Sequence, residues 1–214
     1  KKTSLLEINC ETDFVAKNKD FISFCKEISN INFINKADLD KLNKSKMNND
    51  KTVEENLITL ISKIGEKITI RRSKYFNNNG KNFFYVHNSS EKNIGKVISI
   101  VKLSSDNNQN LDKVGNKLAM HIAAQAPIAI NDDGINKDIL KKELEIIKEE
   151  LKNSGKKEDM IDKISQGKLN KFISDNTLLN QIWIMDTKKK VKDILGKEIK
   201  VVDFVRFKVG EGIE

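Results

Sequence analysis

The sequence has 214 residues, 38% of them hydrophobic, and its 39 Lys and Arg outnumber 31 Asp and Glu, giving a formal net charge of +8. A chain of this length can bury one sizeable core or two small ones, so it does not need disulfides to fold. The two cysteines, Cys10 and Cys25, are too few for a disulfide scaffold, and no apolar run approaches the roughly 20 residues that cross a bilayer. The composition therefore predicts a soluble protein with reduced thiols.

The positive charge leaves two interpretations open. Lys alternates with Asp and Glu in the predicted helices, as in KKELEIIKEELKNSGKKED at 141–159, and charges of mixed sign usually mark a solvated helix face. A basic protein can also gain affinity for phosphate by releasing counterions. A basic RNA- or ribosome-binding protein therefore remains the alternative function.

The first elements are predicted to be a strand, a turn and a helix. The stretch TSLLEIN at 3–9 is strand-like, CETD forms the turn, and apolar residues recur at helical spacing from Lys19 to about Ser29. Asp13 and Phe14 lie between the strand and the helix, in the segment 11–16 that we call the tip. An aromatic side chain is unusual where the chain changes direction.

The next segment, 30–52, is polar and rich in Asn, and we expect a short helix within a variable loop. A clearer helix follows at 53–64 and stops at Gly65. Three strand candidates come next, at 67–76, 82–88 and 95–103, and their short connections containing Asn and Gly favour antiparallel hairpins. This order of elements predicts an α+β fold.

The second half of the sequence is predicted to be mostly helical. A helix that begins near Leu111 ends before Pro127, and two further amphipathic helices separated by NSGK at 153–156 describe a helical hairpin. A short helix at 187–195 and a strand-like alternation at 198–210 complete the chain.

Residues for covalent or nucleotide chemistry are scarce. The stretch VGEGIE at 209–214 lacks the spacing and the following helix of a phosphate-binding glycine loop, and nothing places Cys10 beside either histidine. No cluster has the spacing of a zinc site, so we expect no cofactor and no metal. Taken alone, His121 and Phe14 fit packing residues, and Asp13 fits a helix cap or a turn.

Five stretches of the sequence together resemble one known family. In chain order they are EINCETDFVAKN (7–18), KIGEKITIRR (63–72), GKVISIVKL (95–103), LAMHIAAQAP (118–127) and FVRFKVGEGIE (204–214). They are similar to the signature stretches of elongation factor Ts, and the resemblance covers essentially the whole chain.

The resemblance implies two subdomains with small antiparallel sheets packed by helices. The N-terminal subdomain spans 1–107 and carries the tip, a linking helix spans 108–127, and the C-terminal subdomain spans 128–214 with an inserted helical hairpin at about 137–174. Members usually begin with a three-helix module of the ubiquitin-associated type, whereas this sequence opens without Met and almost directly in a strand. We therefore expect that an upstream segment has been removed, together with any targeting peptide.

The family exchanges guanine nucleotides on the GTPase elongation factor Tu, so the resemblance implies an exchange factor rather than an enzyme. In members of the family, the Asp and Phe of the TDF stretch enter a crevice near the Mg²⁺ and the phosphate loop, and the His of the HIAA stretch also reaches the GTPase. The residues implied to bind elongation factor Tu are Thr12, Asp13, Phe14, Val15, Asn18, Met120 and His121.

The same resemblance sets the expected partners and location. Elongation factor Tu is the expected partner, with no direct contact to nucleic acid or membrane, and a homodimer that carries two copies of elongation factor Tu is among the expected assemblies. The family indicates a bacterial cytoplasm or an organelle of bacterial origin, such as a plastid or mitochondrion. The abundance of Asn and Lys favours a plastid-like organelle.

Overall fold

The computed structural model describes residues 1–105 and 111–213. Within these residues it contains eight α-helices and two antiparallel sheets, of two and three strands, which confirms the predicted α+β fold. The predicted start of the linking helix, at 108–110, lies outside the described residues. None of the described helices is both long enough and apolar enough to cross a membrane.

The first sheet and its helices come from the N-terminal part of the chain. The strands β1 (Thr3–Cys10) and β2 (Ile68–Phe76) pair antiparallel. Four helices lie between them in sequence: α1 (Asp13–Ala16), α2 (Lys19–Ile34), α3 (Leu39–Lys44) and α4 (Val53–Ile64). Their core includes Phe21, Phe24, Ile28, Leu42, Val53, Leu60 and Ile68.

Local signals set both ends of α4. At its start, the Thr52 hydroxyl accepts a hydrogen bond from the Glu55 N–H, and the Thr52 N–H donates to the Glu55 carboxylate. At its end, Gly65 has a φ of 80°, in the left-handed region that favours glycine. The predicted helix and its glycine stop are therefore confirmed.

The second helix is longer than predicted. The sequence pattern placed its end near Ser29, but α2 continues to Ile34. The reason is that Asn32 is fully buried and Ile31 packs on the core, so the buried face continues into a stretch whose polar composition suggests a loop.

The second sheet has the strand order β3 (Lys81–Glu91), β4 (Ile94–Ser105), β5 (Ile199–Lys208), and all neighbours are antiparallel. Helix α5 (Leu111–Gln125) packs on β3 and β4. A Cβ atom on Gly115 would lie 2.3 Å from the ring of Phe83, so the absence of a side chain allows this close approach.

One predicted strand connection is wrong. The short loops favoured hairpins along all three strands between 67 and 103, but β2 pairs with β1, and only β3 and β4 form a hairpin. Loop length is a local property, whereas the strand partner depends on long-range burial. Instead of pairing with β3, strand β2 contributes Phe76 to a small cluster with Leu5 and Ile100. The division of the chain near 107 and 128 stays a prediction.

Two consecutive helices, α6 (Lys137–Asn153) and α7 (Glu158–Asn176), pack on each other around a small core of their own and form the predicted hairpin. The chain enters and leaves this hairpin at one place. The Ile128 N–H donates to the Asn176 carbonyl at 2.9 Å, and the Leu178 N–H donates to the Ala129 carbonyl at 2.9 Å. The last helix, α8 (Val191–Leu195), starts later than the predicted 187.

Strand β1 of the first sheet carries a buried carboxylate, Glu7. Only 1% of the Glu7 side chain is exposed, and its oxygens accept from Arg71 at 3.0 Å and from Arg72. A register shift makes this possible: Glu7 pairs with Arg72 and the next residue, Ile8, pairs with Ile70, so Arg71 is an extra residue on β2.

The same cluster reaches the C-terminal turn. Arg71 also donates to the Glu211 carbonyl at 2.7 Å, and the Gly210 N–H donates to Glu7 at 3.4 Å. Burial raises the pKa of Glu7, but the hydrogen bonds and charges of Arg72 and Arg71 outweigh burial and hold this pKa below its usual 4.5.

We expect Glu7→Gln to lower the free energy of unfolding at neutral pH by about 2 kcal/mol, because charged hydrogen bonds of a buried group are lost. The folded pKa is lowered, so the contribution of Glu7 is present above 4.5 and is lost as pH falls through the folded pKa. Urea denaturation of both proteins at a series of pH values measures this, and their difference should shrink below pH 4.5.

The matched control is Glu150→Gln, because Glu150 pairs with Lys168 at the exposed surface of the hairpin. Its effect should stay within about 1 kcal/mol. Equal losses of stability in the two variants would contradict the assignment of Glu7 as the buried ion pair.

Candidate functional site

The tip presents one aromatic side chain from a capped backbone. Phe14 is 87% exposed, as the family resemblance implies, whereas its neighbour Val15 is 5% exposed and belongs to the core. The Thr12 hydroxyl accepts from the Val15 N–H at 3.4 Å and so caps α1, a single helical turn that begins at the last residue of the predicted turn CETD. The backbone is therefore held while the Phe14 ring extends into solvent.

A second cap follows at once. The Asn18 side-chain oxygen accepts from Asp20 N at 2.8 Å and from Phe21 N at 3.2 Å, which starts α2. The short link between the two helices is thus fixed where α2 begins, and the capping role is visible in the sequence as Asn before an apolar helical pattern.

Glu66 holds the tip from the turn between α4 and β2. Its carboxylate accepts from the Thr12 N–H at 3.1 Å and from the Thr12 hydroxyl at 2.8 Å. In return, the Lys67 N–H donates to the Glu11 carboxylate at 3.1 Å. Sequence reasoning missed Glu66, although it lies inside the quoted stretch KIGEKITIRR directly after the glycine that ends α4.

Asp13 is held from the second sheet. Lys96, near the start of β4, donates to its carboxylate at 2.8 Å, although 72% of the Asp13 side chain is exposed. This hydrogen bond and the positive charge of Lys96 lower the pKa of Asp13 below its usual range. Asp13 is therefore a carboxylate at neutral pH, accessible from solvent.

A groove of about 470 Å³ lies behind the tip, between β1, α2 and the start of β4, and both cysteines line it. Burial raises the pKa of Cys25 to about 12. Burial, and then the charges of Glu66 and Asp13, also raise the pKa of Cys10. Both thiols are therefore protonated at neutral pH, which does not suit a thiolate nucleophile. Among the described residues, no group of His, Cys, Asp and Glu has the geometry to hold a metal ion.

His121 is in the interior. It is 0% exposed, and its ring stacks on Trp183 with centroids 5.2 Å apart. The Ile184 N–H donates to Nδ1 at 3.4 Å, so the neutral ring carries its proton on Nε2 and donates to the Gln181 side-chain oxygen at 3.0 Å. Burial lowers the pKa of His121 below 6.5, and the Gln181 hydrogen bond opposes burial only in part.

The predicted residues of the tip therefore lie close together in the structure, but they differ in solvent exposure. Thr12, Asp13 and Phe14 are exposed and Asn18 is half-buried, while Val15 is part of the core.

The predicted residues on α5 also differ in exposure, since Met120 is 37% exposed and His121 is buried. A partner contact of His121 stays a prediction, since its ring is buried in this structure.

Since the folded pKa of His121 is lowered, its stabilising effect is present above 6.5 and is lost as pH falls through the folded pKa. We expect urea midpoints of the natural chain to decrease below pH 6.5. His121→Gln keeps a polar side chain that does not titrate and should remove this part of the decrease. His87→Gln, which alters an exposed histidine, should retain it. The same decrease in His121→Gln as in the natural chain would contradict a buried neutral ring.

Comparison with known proteins gives one consistent result. The family described as "Elongation factor TS" matches residues 11–211. Elongation factor Ts of Psychrobacter arcticus is 41% identical over 215 residues, covering 100% of this chain and 69% of that protein. Elongation factor Ts of Rickettsia bellii is 35% identical over 220 residues, covering 98% and 71%. Elongation factor Ts of another Psychrobacter strain, PRwf-1, is 38% identical over 215 residues, covering 100% and 70%.

Proposed function

This chain belongs to the elongation factor Ts family, and on that premise we propose that it exchanges guanine nucleotides on elongation factor Tu. The observation that carries the proposal is the tip: Phe14 is 87% exposed on a backbone whose neighbouring residues are capped and hydrogen-bonded. An exposed aromatic on a fixed support is typical of an interface residue.

The chemistry required of the tip is displacement rather than covalent catalysis. GDP in such a GTPase is held by Mg²⁺ and by backbone N–H groups of the phosphate loop. Phe14 supplies bulk that can enter a crevice beside this site, and the Asp13 carboxylate can rearrange the hydrogen bonds around the metal. Together they weaken nucleotide binding without making or breaking a covalent bond.

Thermodynamics limits what the factor does. It stabilises the nucleotide-free GTPase until GTP binds, so its own binding and nucleotide binding oppose each other, and exchange is accelerated in both directions. A coupling free energy of about 4 kcal/mol corresponds to nucleotide binding that is roughly 10³-fold weaker. The overall equilibrium between the GDP- and GTP-bound partner is unchanged.

The remaining predicted residues take different parts in this proposal. Thr12 and Asn18 cap the helices that orient Phe14, and the exposed part of Met120 is available for contact. Val15 and His121 are buried, so they act through packing unless the partner opens their cover.

Partner, assembly and compartment form the rest of the proposal. Elongation factor Tu is the protein partner, the factor itself holds no cofactor, and a homodimer carrying two copies of the GTPase is one assembly. The relatives named above are bacterial, which supports translation machinery of the bacterial type. The bias towards Asn and Lys supports an organelle, plastid-like, as the location of that machinery.

We expect this chain to accelerate release of a fluorescent GDP analogue from a bacterial elongation factor Tu. Phe14→Ala should reduce the acceleration roughly 30-fold, because truncating an aromatic at the centre of an interface costs about 2 kcal/mol or more. Asp13→Ala combined with Phe14→Ala should remove most of what remains. Stopped-flow fluorescence measures all three proteins.

The matched control is Phe33→Ala, because Phe33 is also an exposed aromatic, at 41%, but lies about 20 Å further along α2. It should leave the rate unchanged. No acceleration by the natural chain, or full acceleration by the double variant, contradicts the proposal. Binding that survives loss of Phe14 and falls steeply with salt would favour the RNA- or ribosome-binding alternative.

A further inference from the structure

We infer that Glu66 is the positioning residue of the tip: it sets the orientation from which Phe14 and Asp13 act, without touching the partner's nucleotide site. The inference rests on the proposed function and deepens it. It starts from a contact between residues that are far apart in sequence, since Glu66 follows α4 and Thr12 follows β1.

The two donors of Thr12, its N–H and its hydroxyl, both hydrogen-bond to Glu66 and so control the cap of α1. The Thr12 hydroxyl donates its proton to Glu66 at 2.8 Å and uses a lone pair to accept from Val15 N at 3.4 Å. The Thr12 N–H donates to the other carboxylate oxygen at 3.1 Å. Glu66 therefore fixes both the backbone before Asp13 and the rotation of the hydroxyl that caps the helix.

The support of Glu66 is itself held in place. Gly65, in the left-handed region, turns the chain out of α4, and Ile68 then enters β2 opposite Cys10. Between them, the Lys67 N–H donates to the Glu11 carboxylate at 3.1 Å. The turn from α4 to β2 and the end of β1 are thus joined by hydrogen bonds in both directions.

Phe14 cannot fix the orientation of the tip by itself, because 87% of its surface is exposed and few contacts hold the ring. Lys96 holds the side chain of Asp13, but both partners of that ion pair are largely exposed and such pairs contribute little. Glu66 is a half-buried residue that accepts from two donors of Thr12, so it is the better-anchored contact on the tip.

The experiment compares Glu66→Ala and Glu66→Gln with a matched control, Glu55→Ala. Glu55 accepts the same two donors from a threonine, Thr52 N at 2.7 Å and Thr52 Oγ1 at 3.0 Å, at the other end of α4 and away from the tip. The control therefore removes the same hydrogen-bond chemistry from a cap that has no part in presenting Phe14.

We expect Glu66→Ala to lower the maximal rate of GDP release about tenfold or more, because misplacing a group that acts by position costs rate even when contacts are retained. The factor concentration at half-maximal rate should change less than the maximal rate. Glu66→Gln keeps one acceptor oxygen for Thr12 and should recover part of the rate, whereas Glu55→Ala should match the natural chain.

A second measurement does not depend on elongation factor Tu. In ¹⁵N-labelled protein, hydrogen exchange at the Thr12 and Val15 amides should accelerate, and the heteronuclear NOE of residues 11–16 should fall, in Glu66→Ala but not in Glu55→Ala. A thermal scan shows that each variant is folded. If Glu66→Ala fails to fold, Glu66→Gln carries both measurements.

The possible outcomes distinguish the positioning role of Glu66 from the proposed nucleotide-exchange function. An ordered tip and an unchanged maximal rate in the Glu66 variants would overturn the inference while leaving the proposed function intact. A natural chain that does not accelerate GDP release would overturn the proposed function, and the NMR comparison would still decide whether Glu66 orders the tip.

Discussion

The position of the tip depends on where β1 ends, and β1 ends opposite the start of β2, with Cys10 paired to Ile68. This antiparallel pairing joins segments separated by four helices in sequence. It brings the turn after α4 beside the tip, and it places Arg71 and Arg72 against Glu7. Without the pairing, neither the hydrogen bonds to Thr12 nor the buried ion cluster could form.

At the tip, the backbone is held by hydrogen bonds while the Phe14 side chain is exposed to solvent. Thr12 and Asn18 cap successive helices, Val15 anchors the first of them in the core, and Phe14 is left in solvent. Exposing a phenylalanine forgoes the roughly 1.5–3 kcal/mol that its burial could contribute to folding. At an interface the same surface becomes available for binding, and because the backbone is already ordered, less conformational entropy is lost on association.

Local features of this structure could be predicted from the sequence, and long-range ones could not. Gly65 ends its helix as expected, since a glycine stop acts within a few residues. The exposure of Phe14 was implied by the family resemblance, because the residue taken alone fits a packing position. The partner of β2 was wrong because a strand pattern tells which face is buried but not which strand lies alongside. Glu66 was missed for the same reason: as an isolated glutamate in a turn it carries no signal until Thr12 is placed next to it.

His121 illustrates a different limit. Taken alone, its position on α5 fits a packing residue, whereas the family resemblance implies a contact with the partner. Which of these applies depends on Trp183 and Gln181, which come from a segment beyond the hairpin. Sequence periodicity within α5 contains no information about that cover.

The closure of the chain at the base of the helical hairpin has a consequence for how the molecule can vary. Since the Ile128 and Asn176 backbones are hydrogen-bonded to each other, α6 and α7 project from a single attachment point and have a small core of their own. If the same number of helical turns is added to or removed from both α6 and α7, the path of the chain through either sheet does not change. The arm can therefore diverge in length and surface among descendants of one ancestor, while the geometry that presents the tip is inherited unchanged.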